Sequence, residues 1–174
     1  MHEYDEKSAR ENNDINIIRP AVKDEDIKLR RSITDKKRLK AIKDGLQTLH
    51  NLETMAVNAY KYQITSADTE LNRELIAAML NEMGHVQDFQ VKLYEYGWKP
   101  CIFSYFFPVV GFVFATIAKM FGEKGAKWLG VFVETKAVAH YRHLLATIDW
   151  DDDTRKVIEK DWADEFGHIE RWSS

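Results

Sequence analysis

Cysteine occurs once in the 174-residue chain, at Cys101, which excludes a disulfide framework, a CxxC redox pair and any four-cysteine zinc or iron site. Proline stands only at positions 20, 100 and 108, and alternating β-branched runs are few, so the pattern is mostly helical. Basic residues are in slight deficit, 25 against 28 acidic ones, so nothing offers a basic stripe and no nucleic-acid partner is expected. The opening MHEYDEKSARENND lacks the apolar core of a secretory signal and the acid-poor, Arg-rich character of a transit peptide. It reads as a bacterial cytoplasmic start or a mature N-terminus. Residues 1–33 form a charged segment expected to be mobile. Residues 34–174 form one domain, long enough to bury a core without disulfides or structural zinc.

From about Thr34 the residues Leu39, Ile42, Leu46, Leu49, Ala56 and Tyr60 recur every three or four positions, predicting helix one to about Ile64. A stripe from Leu71 through Leu75, Met79, Val86 and Phe89 to Leu93 predicts helix two, with Ser66 or Asp68 as N-cap and Gly97 and Pro100 as the stop. Helix three starts near Glu123 and carries Val131, Val138, Tyr141 and Leu145. After the turn DWDDDTR, helix four carries Ile158, Trp162, Ile169 and Trp172. Between helices two and three, Cys101 to Ala118 hold no formal charge, a length that would suffice for a membrane span. Pro108 and Gly111 interrupt that run, which suits an element on a membrane surface better than a straight span.

The chain repeats itself. EMGHVQDF at Glu82–Phe89 matches EFGHIERW at Glu165–Trp172, and ETMAVNAY at Glu53–Tyr60 matches ETKAVAHY at Glu134–Tyr141. Two helical hairpins of like design predict an internally duplicated antiparallel bundle. Each conspicuous Glu lies on an apolar stripe, where an unpaired carboxylate costs several kcal/mol, and none has a Lys or Arg three or four residues away. A single Glu-x-x-His is weak, but two of them facing two further glutamates form the ligand inventory of carboxylate-bridged metal bundles. The candidate metal ligands are Glu53, Glu82, His85, Glu134, Glu165 and His168. Carboxylates with imidazole favour two iron ions, or manganese, over structural zinc. The plainer alternative is a buried polar network of the same residues without metal. Asp164 is a candidate to orient a ligand histidine, Tyr60 and Tyr141 read as core or as supports of the ligands, and the repeated Gly reads as close packing.

These motifs, with LHNLETMAVNAY, GFVFATIAKMFGEKGA, VETKAVAHY and DEFGHIE, resemble the demethoxyubiquinone hydroxylases over about residues 35 to 170. The resemblance implies an all-α, ferritin-like four-helix bundle with a long apolar crossover between helices two and three. It implies a di-iron monooxygenase that uses O2 to hydroxylate the ring of a polyprenyl quinone precursor in ubiquinone biosynthesis, peripheral to the cytoplasmic face of a bacterial inner membrane. Glu82 and Glu165 would bridge the irons, with Glu53 and His85 completing one coordination sphere and Glu134 and His168 the other. His140 and Tyr141 match the family's His-Tyr pair at the substrate pocket, with a role in relaying electrons or protons. The electron donor is left unassigned and a homo-oligomer is left open. One departure is Asn51-Leu52, where the family carries Ala-Gly. The competing reading is a ferritin- or rubrerythrin-like protein for iron oxidation or peroxide removal.

Overall fold

The computed structural model describes residues 23–30 and 35–173. Their long elements are five helices: α1 (Lys36–Lys61), α2 (Glu70–Glu95), α3 (Phe107–Lys119), α4 (Gly122–Thr147) and α5 (Asp152–Ser173), with no strand among the described residues. Helices α1 and α2 form one antiparallel hairpin and α4 and α5 the other, and α3 crosses between them. The fold is a ferritin-like four-helix bundle with an apolar crossover.

The helix boundaries follow local hydrogen bonds. Asp35 caps α1 by accepting from the backbone N–H of Lys37 and Arg38. The cap of α2 is Thr69, not Ser66 or Asp68, because Asn72 turns back to donate to the carbonyls of Thr65 and Ala67 at 2.6 and 2.8 Å. That closure consumes the loop and delays the helix start. Gly97, at φ 76°, ends α2 in a conformation that disfavours side chains.

The core has two apolar layers. Ile42, Leu46, Leu49, Phe89, Leu93 and Ile158 fill one, while Ala56, Tyr60, Leu75, Leu129, Val133 and Trp172 fill the other. On each of the four bundle helices one glutamate falls between the two layers, so a polar slab crosses the middle of the molecule.

The crossover corrects the expectation that Pro108 and Gly111 break it. Pro108 sits in the first turn of α3, where its missing N–H costs nothing. Gly111 is a contact point: a Cβ there would run into the Met55 carbonyl and lie 2.9 Å from the Ala59 nitrogen. Gly111, Ala115 and Ala118 are the buried stripe of α3, and Ser104 donates to Asn51 at 2.6 Å just before it, fixing the crossover to α1 at the departure from the family pattern. The bulky side chains face out: Phe103 is 63% exposed, Phe112 47% and Met120 79%. Replacing Gly111 by Val should cost about 1–3 kcal/mol, read as a Tm drop of roughly 2–4 °C per kcal/mol. An unchanged Tm would refute the close contact.

Residues 23–30, the described part of the charged N-terminal segment, run along the far end of the bundle. Arg30 bonds Asp151, reaches Glu95 at 3.1 Å and Asp153 at 3.3 Å, and joins its backbone N–H to the Glu95 carbonyl. Glu95 is therefore a buried member of an ion cluster with Lys92, at 2.8 Å, and not the solvated glutamate its neighbours in sequence suggest. The expectation for residues 1–22 and 31–33 lies outside the described residues.

Candidate metal centre

The polar slab brings all six candidate ligands together, every one of them buried. Glu53 comes from α1, Glu82 and His85 from α2, Glu134 from α4, Glu165 and His168 from α5. The i, i+3 spacing stacks each Glu and His about 4.5 Å apart along the axis, on the face toward the opposing hairpin. Their donor atoms fall into two clusters, Glu53–Glu82–His85–Glu165 and Glu82–Glu134–Glu165–His168. Glu82 and Glu165 belong to both.

The sharing is divided oxygen by oxygen. Glu82 places Oε2 3.3 Å from His85 Nδ1 and Oε1 3.0 Å from His168 Nδ1. Glu165 places Oε1 3.2 Å from His85 Nδ1 and Oε2 3.5 Å from His168 Nδ1. Glu53 approaches only His85, at 4.0 Å, and Glu134 only His168, at 3.6 Å. The tyrosines cross over: Tyr60 of the first hairpin donates to Glu134 of the second, and Tyr141 of the second donates to Glu53 of the first at 2.7 Å.

Both oxygens of Glu82, both of Glu165, Glu134 Oε2 and Nδ1 of each histidine are buried without a hydrogen-bond partner. Among the described residues no Lys or Arg pairs with any of the four glutamates. Native interiors rarely leave such atoms unmet, and two divalent cations would satisfy them all. The donor set of four carboxylates and two imidazoles fits two iron or manganese ions.

Without metal, protons take the cations' place. Burial and then the charges of Glu165 and Glu82 push Glu53 well above the usual carboxylate range; burial and Glu82 do the same for Glu134. Burial would lower His85, but the carboxylates of Glu165 and Glu82 beside it raise it far above its ordinary value. Burial is likewise outweighed at His168, which Glu134, Glu165 and Glu82 push up to about 12. Glu82 and Glu165 are lowered against burial, Glu82 by the two imidazoles and Glu165 chiefly by His168 and then His85.

The two sides of the centre differ. Toward α1 and α4 lies an apolar cavity of about 330 Å³, walled by Leu52, Met55, Phe114, Phe132 and Val133, with Glu53 and Glu134 at its base and His140 and Lys136 on its wall. His140 Nε2 has no partner there. Tyr141 points the other way, into the slab. Toward α2 and α5 a groove of about 830 Å³ reaches the rims of His85 and His168 past Gly84 and Gly167. Gly167 has no atom within 4 Å of where a Cβ would stand, so close packing does not explain it.

A family model described as Ubiquinone biosynthesis protein COQ7 matches residues 40–171 of this chain. The chain belongs to that family. COQ7 proteins are membrane-associated hydroxylases of ubiquinone biosynthesis with a di-iron centre, and the buried clusters here are compatible with one. Comparison with curated proteins returned no match.

The COQ7 fold also supplies partners that the residue pattern alone did not single out. Asn81 lies 3.0 Å from His168 Nε2, and Asp161, fully buried, has an oxygen 3.9 Å from His85 Nε2. Asp164, the candidate for this role, stands 3.5 Å from His85 Nε2. The usable signal was positional: Asn81 and Asp164 each immediately precede the Glu of a repeated phrase.

Proposed function

We propose that this chain is an O2-dependent di-iron monooxygenase that hydroxylates the ring of a polyprenyl quinone precursor of the demethoxyubiquinone type, working peripherally at the cytoplasmic face of a bacterial inner membrane. The observation that carries the reading is the unmet carboxylate and imidazole cage opening on one side into an apolar cavity whose wall includes Phe114 of the apolar crossover.

Glu82 and Glu165 would bridge two irons, Glu53 and His85 completing one site and Glu134 and His168 the other. When bound, the irons supply the reduction of O2 and the delivery of one oxygen atom to the ring. The protein's own groups hold the ring and manage protons. The cavity excludes water from the face of the centre that Glu53 and Glu134 form. Burial and then the charge of His143 hold His140 below its ordinary pKa, so the neutral ring can donate to or accept from a quinone oxygen. Tyr141, its neighbour in sequence, points into the slab and donates to Glu53, a carboxylate that also lines the cavity. The outward Phe103, Phe112 and Met120 supply an apolar surface for a bilayer in which a polyprenyl substrate is dissolved.

Anaerobic purification followed by metal analysis and solvent extraction should give about two irons per chain, one for each cluster, and a copurifying quinone. Expression in a strain lacking the hydroxylase should restore quinone synthesis. A well-folded protein that takes up no metal under anaerobic Fe(II) would overturn the reading.

A further inference from the structure

The two halves of the chain superpose in sequence with an offset of 83 between α2 and α5, which pairs Glu82 with Glu165 and His85 with His168. The same offset pairs Asn81 with Asp164. Each of these reaches across to the histidine of the other half: Asn81 Nδ2 lies 3.0 Å from His168 Nε2, and Asp164 Oδ2 lies 3.5 Å from His85 Nε2. The geometry is reciprocal but the chemistry is not, since one partner is a neutral amide and the other a carboxylate.

Asp161 adds to the difference. Its oxygen lies 3.9 Å from His85 Nε2, and its counterpart in the first half is the apolar Ala78. Lys160 offsets part of this charge, at 2.7 Å from Asp161 and 2.9 Å from Asp88. Asp164 is left as the group that most separates the two sides. With Nδ1 of each ring turned toward the four glutamates and so toward metal, Nε2 carries the proton, and the Asn81 amide must turn its oxygen to His168 to accept it. A carboxylate accepting that proton makes the imidazole a stronger donor to metal than an amide does.

We infer that the two metal positions are unequal by construction: the ion beside His85 is bound more tightly and keeps the higher oxidation state, and Asp164 and Asn81 are the positioning residues that set the difference. This rests on the metal-centre reading above. In the half-reduced protein the oxidised ion sits with Glu53 and His85, and the reduced ion with Glu134 and His168.

The test uses the full chain, freed of metal and titrated anaerobically with Fe(II), in the unaltered protein, in Asp164→Asn and in Asn81→Asp. The unaltered protein should fill in two steps and show two quadrupole doublets of equal area in the 57Fe Mössbauer spectrum. Asp164→Asn removes the difference at 81 and 164 and leaves only that of Asp161 against Ala78; its tighter step should weaken about 10- to 100-fold and the doublets should draw together. Asn81→Asp should tighten the weaker step by a similar factor while leaving the other in place. Asp164 is half-exposed and the exchange nearly isosteric, and Asn81→Asp reads the same difference from the opposite side if the first variant folds poorly. Two indistinguishable sites in the unaltered protein, or equal weakening of both sites in Asp164→Asn, would overturn the inference while leaving the metal centre standing. Absence of any Fe(II) uptake would overturn both.

Discussion

Glu165→Ala should empty both metal positions at once. Its two oxygens serve different clusters, 3.2 Å from His85 and 3.5 Å from His168, so no single ion can keep a full set of ligands after its removal. Metal affinity should fall by more than about 100-fold, beyond what loss of a more distant partner causes, and turnover by at least about 100-fold with it. Glu53→Ala offers the contrast, since Glu53 belongs to one cluster only; that variant should retain about one metal per chain. The metal-free Glu165→Ala protein should also lose stability, because a buried imidazolium facing fewer carboxylates costs about 3–5 kcal/mol. Metal content after anaerobic reconstitution, beside Tm of the metal-free forms, separates the effects. If Glu165→Ala and Glu53→Ala retained the same metal content, the shared role of Glu165 would be wrong.

The second large effect is on pH. His85, His168, Glu53 and Glu134 are raised and Glu82 and Glu165 lowered, so at neutrality the metal-free centre is expected to hold protons on the first four against the charges of the last two. Its two imidazoliums and two carboxylates sum to zero. Two divalent ions bring four positive charges, so loading should release about four protons, and apparent affinity for each ion should rise about 100-fold per pH unit. Stability follows the same protons. The raised pKa of His168 contributes stability that is complete below its ordinary 6.5 and is lost as pH climbs toward about 12; His85 acts in the same sense. The metal-free protein should therefore melt at lower temperature as pH rises above neutrality, and the loaded protein should not. Calorimetric titration in buffers of different ionisation enthalpy counts the protons, and a count near zero would refute this account.

The convergence of the six candidate ligands was legible because it rests on short-range rules. Helical spacing puts Glu82 beside His85 and Glu165 beside His168, and the internal repeat identifies Glu53 with Glu134. The four bundle helices were legible for the same reason, to within a few residues at each end. What escaped depends on which helices meet. Gly111 reads as a breaker in one dimension and is a contact surface in three. Glu95 has lysines nearby in sequence, yet it is buried and also pairs with Arg30, sixty-five residues away. Tyr60 read as core or as a support of the ligands, and nothing local reveals that the glutamate its hydroxyl serves is Glu134 of the other half.

That crossed pair of tyrosines bears on how a doubled chain can change with time. Two copies of a gene segment ordinarily drift apart, each free to accept what the other refuses. Here each copy keeps its tyrosine against the other's glutamate, so a change in either is felt by both, and 53/134, 60/141, 82/165 and 85/168 still spell the same residues. Freedom remains outside the ligands and their tyrosines. At those places the copies have parted: Ala59 against His140, and Asn81 against Asp164. One departure puts an imidazole on the wall of the cavity; the other gives the two histidines unlike neighbours. Divergence is widespread along the two halves, as at Met55 against Lys136 and Asp88 against Arg171, while likeness survives where either half alone would be incomplete.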